Sequence, residues 1–190
     1  MRRLAIASVA FLLALGACKS SDARFRPLAA GEPVPAFTIR TLDGDSASVG
    51  PDEQLTLLNL WATWCGPCQE EFPELEQIHR DYEANGLRVL AVSVDMGNDA
   101  NVREFVADHG ATFTIGRDAQ GRMQRLYQTV GLPETFLIAP DGTLIWRHFG
   151  ALKPGAEELR RQIDQVLGTA GAASRASSSR SKPSRRTRMS

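Results

Sequence analysis

Cys65 and Cys68, two residues apart in the run Trp64-Cys65-Gly66-Pro67-Cys68, are the residues whose type and spacing most directly permit chemistry. A disulfide between them would close a loop too short to stabilise a fold appreciably, because a cross-link stabilises more the longer the chain it constrains. The pair is therefore expected to react, cycling between dithiol and disulfide through thiolate attack. A zinc site is the other common use of such a pair, and it needs about four ligands. The sequence holds no second cysteine pair, and His79, His109 and His148 are scattered singly, so no metal is expected.

The elements that must position these sulfurs follow from hydrophobic pattern. Leu55 to Trp61 is a near-continuous apolar run, the pattern of a strand buried on both faces. A helix is expected from about Cys65 to Ala84, with Cys68, Phe72, Leu75, Ile78 and Tyr82 on its apolar stripe and Glu70, Glu74, Gln77 and Asp81 on its wet face. Asn85-Gly86 should end it. Cys65 then stands where strand becomes helix, beside unpaired backbone N–H groups and the positive end of the helix dipole. Such sites lower a thiol pKa from ~8.5 to roughly 3.5 to 7.5. Cys65 is thus the expected nucleophile, and Cys68, one turn inward, the group that resolves its mixed disulfide. Gly66 and Pro67 keep the turn between them tight.

Around this centre, Phe37, Ile39 and Leu42 alternate ahead of Asp43-Gly44 and predict a hairpin before the main fold. Leu87 to Val94 reads as a second buried strand, residues from Asn98 or Asp99 to about His109 as a helix, and Phe113 to Ile115 as a short strand. Strands alternating with helices imply a parallel sheet. Ala119 to Gln128 is expected to be helical. Thr135 to Ala139 and Leu144 to Phe149 flank the turn Pro140-Asp141-Gly142. Pro154 is expected to open a last helix that Gly168 stops.

The ends of the chain differ from its middle. Arg2 and Arg3 precede an apolar stretch from Leu4 to Leu15, which reads as a targeting segment too short to span a bilayer. Leu15-Gly16-Ala17-Cys18 resembles a bacterial lipobox, which would make Cys18 a lipidation site and the domain an extracytoplasmic, membrane-anchored one; cleavage near Ala17 to release a soluble periplasmic protein is the alternative. Residues 19–34, with Pro27, Gly31 and Pro33, read as a tether. Residues 169–190 carry six Lys/Arg, no acid and no aromatic residue, and are expected to be disordered. The formal net charge of zero therefore hides a middle with 14 basic and 22 acidic side chains, a formal −8 that argues against nucleic-acid binding.

Trp64-Cys65-Gly66-Pro67-Cys68 resembles the active-site motif of thioredoxins. Pro73, five residues after Cys68, is similar to the proline inside that family's active-site helix, and Gly131-Leu132-Pro133-Glu134-Thr135-Phe136 resembles the loop whose proline is cis and faces the dithiol. The resemblance, from about Pro35 to Leu167, implies an α/β three-layer sandwich, a central mixed sheet flanked by helices with an N-terminal hairpin extension. It also implies that Trp64, Leu132 and Pro133 bind substrate, Leu132 through its backbone as an added strand would. Asn59 stands where thioredoxins hold a buried aspartate. Glu71, three residues after Cys68 and on the apolar stripe, is then the expected proton acceptor for Cys68. This Asn and Glu, with the hairpin and the export signal, resemble the TlpA/ResA/DsbE group of membrane-tethered reductases, several of which serve cytochrome c maturation. That resemblance implies protein disulfide substrates, a membrane electron donor for re-reduction, no cofactor beyond the redox-active disulfide, and a monomer.

Two other readings stand beside it. Peroxiredoxins share the fold and a similar hairpin, but place proline and threonine seven and three residues before their reactive cysteine, where this chain has Leu58 and Ala62. A non-catalytic thiol- or metal-binding module is the second.

Overall fold

A computed structural model describes residues 26–51 and 54–180. The targeting segment, Cys18 and the start of the expected tether lie outside the described residues, as do residues 181–190. The elements are β1 (Phe37–Thr41), β2 (Ser46–Val49), β3 (Leu55–Trp61), α1 (Gly66–Tyr82), β4 (Leu87–Ser93), α2 (Ala100–Asp108), β5 (Thr114–Arg117), α3 (Arg122–Leu126), β6 (Glu134–Ile138), β7 (Leu144–Phe149) and α4 (Glu157–Arg180).

All seven residues of β3 are buried, because β3 lies inside a seven-stranded sheet of order β2-β1-β5-β4-β3-β6-β7. It runs parallel to β4 and antiparallel to β6, so the sheet is mixed. Alternate side chains enter two cores. Leu57 and Trp61 meet Phe72 and Ile78 of α1, Phe105 of α2 and Leu159 and Ile163 of α4. Leu58 and Leu60 join Val34, Met123, Tyr127 and Phe136 on the other face. The three-layer sandwich expected above is the fold observed, with β1 and β2 forming the N-terminal hairpin.

The structure departs from expectation at four places. Residues 31–34 are part of the domain and not of a tether: the Gly31 N–H donates to Leu144 O at 2.8 Å, the Leu144 N–H to Glu32 O at 2.8 Å, and the Val34 N–H to Gly142 O at 2.9 Å. The helix expected from Ala119 begins only at Arg122, because the Asp118 carboxylate accepts the Arg122 and Met123 N–H groups at 2.9 and 2.7 Å and fixes its first turn there. Pro154 does not open α4. The chain turns at Lys153–Ala156, with Gly155 at φ +86°, and the helix starts at Glu157. Gly168 does not stop it either, and residues 169–180 are helical where disorder was expected. A glycine in a helix costs only about 1 kcal/mol relative to alanine, and Ala170, Ala172, Ala173 and Ala176 favour continuation. By contrast Gly86, in the left-handed region at φ +99°, does close the turn after α1.

An aromatic cluster locks α1 to the sheet. Phe72 lies 4.5 Å from Trp61, 4.9 Å from Phe105 and 5.6 Å from Phe113, centroid to centroid. Truncating Phe72 to alanine should cost about 3–5 kcal/mol; a urea melt of the oxidised Phe72→Ala protein within 1 kcal/mol of the parent would contradict this account of the core.

Candidate active site

At the end of β3 the chain leaves the sheet and enters α1 within a few residues, and Cys65 is the residue that caps the helix. Its backbone is extended (φ −87°, ψ 106°) and its Sγ accepts the Cys68 N–H at 3.3 Å. Its carbonyl accepts the N–H groups of Cys68 and Gln69 at 3.0 and 3.2 Å. Pro67 lacks an N–H, so it fits the first turn, where that donor would go unpaired. The sulfurs of Cys65 and Cys68 form a disulfide across Cα atoms 5.2 Å apart. Cys68 is fully buried and Cys65 is 6% exposed, whereas Trp64 beside it is 70% exposed. The outer sulfur belongs to the residue at the helix terminus, as expected.

One turn beyond Cys68, Glu71 is fully buried. Its Oε1 accepts Asn59 Nδ2 at 2.8 Å and its Oε2 accepts the Leu152 N–H at 2.9 Å. Asn59 Nδ2 also donates to Thr135 Oγ1 at 3.0 Å. Burial penalises the charged form and pushes the Glu71 carboxyl up to about 7, against the pull of the two donors. An amide takes up no proton near neutral pH, so of Asn59 and Glu71 only Glu71 can serve as a base. Glu70, its neighbour, is exposed.

The third component is the loop before β6. The Leu132–Pro133 peptide is cis, and the Pro133 carbonyl accepts the Gly150 N–H at 2.9 Å. Gly131 lies under the Phe149 ring so closely that a Cβ there would sit 2.5 Å from Phe149 Cε2. Just after the proline, the fully buried Glu134 holds the Arg147 guanidinium at 2.6 Å and accepts the Val130 N–H at 3.1 Å. Burial raises the Glu134 carboxyl above its ordinary value, and Arg147 opposes that rise. Arg147 also donates to the carbonyls of Leu28 and Gln128, so one side chain joins the N-terminal segment, the cis-proline loop and the β6–β7 hairpin. The sequence reading missed this pair. An acid opening an apolar strand, with an arginine inside the next strand of the same hairpin, was the signal available. It also missed Leu152, whose backbone N–H no residue pattern announces.

A fully buried sulfur one turn inside a slightly exposed one, at the N-terminus of the helix that follows β3 and with a cis-proline loop leading into the neighbouring strand β6, defines a thiol-disulfide oxidoreductase of thioredoxin-like fold. The chain belongs to the AhpC/TSA family, whose model matches residues 30–147. It is 33% identical over 146 residues to the thiol-disulfide oxidoreductase ResA of Geobacillus thermodenitrificans, covering 73% of this chain and 79% of that protein. A match to ResA of Oceanobacillus iheyensis is 35% identical over 88 residues, 46% of this chain and 45% of that protein. Among solved structures, one described as a thiol:disulfide interchange protein DsbE from Chlorobium tepidum superposes with a TM-score of 0.66 at 33% identity, covering 74% of this chain and 99% of that one.

The raised Glu71 carboxyl has a consequence for stability with a definite sign. Between its ordinary value of 4.5 and about 7 the unfolded chain ionises first. Unfolding therefore becomes easier as pH rises through this window, by about 3 kcal/mol in all. Denaturation of the oxidised protein at pH 4.5 and pH 8 should show that loss, and Glu71→Gln should remove most of it; an unchanged slope in the variant refutes the assignment.

Proposed function

We propose that this protein reduces disulfides of other proteins outside the cytoplasm, with Cys65 as nucleophile, Cys68 as resolving thiol and Glu71 as general base. The observation that carries the reading is the pairing of a fully buried Cys68 with a fully buried carboxyl one turn away on the same helix face. The Cys65 thiolate attacks a substrate sulfur. The substrate S–S bond breaks, a mixed disulfide forms, and the departing thiolate takes a proton from water. Glu71 then accepts the Cys68 proton, and the Cys68 thiolate attacks Cys65 Sγ. The second substrate thiol leaves, and the Cys65–Cys68 disulfide remains, carrying the two electrons' worth of oxidation.

Trp64, Leu132 and Pro133 form the surface on which substrate chain lies, with the Leu132 backbone pairing as an edge strand does. The half-ionised state of Glu71 near pH 7 supports its role, since a base works best when its pKa is close to the ambient pH. Reduction is the favoured direction. A reductant in an oxidising compartment runs down unless recharged, so a membrane electron donor belongs to the reading, as does an anchor through lipidated Cys18 and action as a monomer without further cofactor. Relatives named ResA and DsbE support this assignment, with apocytochrome c among the candidate substrates. The peroxidase alternative is disfavoured by Leu58 and Ala62, both fully buried core residues where that chemistry needs proline and threonine.

In cells, Cys68→Ser should accumulate a mixed disulfide between Cys65 and its natural partner, and Cys65→Ser should accumulate none. With the purified protein, Glu71→Gln should slow reduction of a model protein disulfide at pH 7 by tenfold or more while leaving the fold intact. Equal rates for Glu71→Gln and parent across pH 5–9 would remove Glu71 from the mechanism.

A further inference from the structure

The turn that presents Cys65 is held from the far side by a carboxylate. Asp95 follows β4 and is 7% exposed. Both of its oxygens accept the Thr63 N–H, at 3.2 and 3.0 Å, and Oδ1 also accepts the Thr63 hydroxyl at 2.6 Å. The Thr63 carbonyl is taken by Gln69 Nε2 of α1 at 2.9 Å. Every polar group of Thr63 is therefore engaged, and the chain from Thr63 to Cys65 has its start fixed. Behind Asp95, Ser93 Oγ donates to Oδ2 at 2.8 Å and accepts Arg117 Nη1 at 2.5 Å. Arg117 in turn pairs through Nε with Asp99 at 2.8 Å.

The donors that reach Asp95 in this network are neutral: an N–H and two hydroxyls. Arg117 touches Ser93 and has Asp99 as its own counter-ion, so the charge on Asp95 is only partly offset. Thr63 stands two residues before Cys65, which keeps their Cα atoms within about 7.6 Å. Asp95 is hydrogen-bonded to the residue that opens this short turn, and an anion held there, partly shielded from water, opposes the appearance of a second negative charge on Cys65. The other charged groups nearest the dithiol along its elements are Glu70, Glu71 and Glu74 on α1, the last paired with Arg160, and Glu134 after the cis-proline, paired with Arg147. Of these, Glu70 is exposed to solvent screening and Glu71 is half neutral at pH 7.

We infer that Asp95 is a positioning residue for Cys65 that also sets the redox poise of the pair: it clamps the turn through Thr63, and its charge disfavours the Cys65 thiolate and so keeps the couple reducing. A stabilised thiolate stabilises the reduced form and makes a couple more oxidising; a destabilised one does the reverse. The inference deepens the dithiol chemistry proposed above but does not depend on the substrate, because the potential of the Cys65–Cys68 couple is measured against a small thiol buffer.

The experiment compares the purified parent protein with Asp95→Asn, which keeps the shape and an acceptor but no charge. Equilibration with dithiothreitol buffers at pH 8 gives the potential, and the pH profile of iodoacetamide alkylation gives the Cys65 titration. Asp95→Asn should increase thiolate at pH 7 about three- to tenfold and shift the pH 8 equilibrium with dithiothreitol toward the reduced protein by up to about threefold, or about 14 mV at 29.6 mV per tenfold. Thr63→Val, which drops one hydroxyl and leaves the charge in place, should titrate like the parent. If Asp95→Asn does not fold, Asp95→Ser carries the same expectation. A folded Asp95 variant with parental titration and potential overturns the inference, and so does a Thr63→Val shift equal to that of Asp95→Asn, which would assign the effect to geometry alone. Failure of the Cys68→Ser trap, by contrast, would count against the proposed substrate and leave the potential measurement standing.

Discussion

A carboxyl group buried against a reactive sulfur pair is the constraint from which the rest of the site follows. Taking Glu71 out of water costs free energy unless its oxygens are met by donors, and the donors come from two directions: Asn59 on β3 and the backbone of Leu152 beyond β7. The carboxyl thus ties the central strand, the active-site helix and the β7–α4 loop to one point. Its placement on the helix makes it a neighbour of Cys68 and not of solvent. The same burial that makes Glu71 expensive holds it near its midpoint at neutral pH, so structural cost and chemical usefulness have one origin.

The sheet supplies the frame for this arrangement. β3 is flanked by β4 and β6 and packed on both faces, with Asn59 as the polar residue turned toward Glu71, and its end delivers Cys65 to the helix terminus. β6 starts directly after the cis-proline loop, and its first residue, Glu134, anchors Arg147 from the neighbouring strand. Two acids therefore hold the two halves of the active surface in place from below, Asp95 under the cysteine turn and Glu134 beside the proline. They act through different partners, one through neutral donors and the other through a guanidinium.

Much of this was legible in the sequence where the physics is local or periodic. The bounds of β3 and β7 could be read directly, since a run buried on both faces and a strand after a Pro-Asp-Gly turn leave little choice. Helical spacing alone put Glu71 on the inner face of α1. Other features depended on partners far along the chain. Nothing near Pro154 says that the chain first turns through Gly155, and nothing near Gly168 says whether a helix tolerates it. The docking of residues 31–34 on Leu144, the Leu152 N–H and the Asp95–Thr63 clamp link segments dozens of residues apart, and only the folded chain brings them together.

The contact of Phe149 with Gly131 couples what can stand at the two positions. A β-carbon on residue 131 would stand 2.5 Å from the ring in its present position, so the exposed Phe149 side chain would have to swing outward to admit one, whereas a smaller residue at 149 leaves the glycine undisturbed. Change at this pair is consequently uneven: losing the aromatic costs the glycine nothing, while losing the glycine displaces the aromatic beside the cis-proline loop.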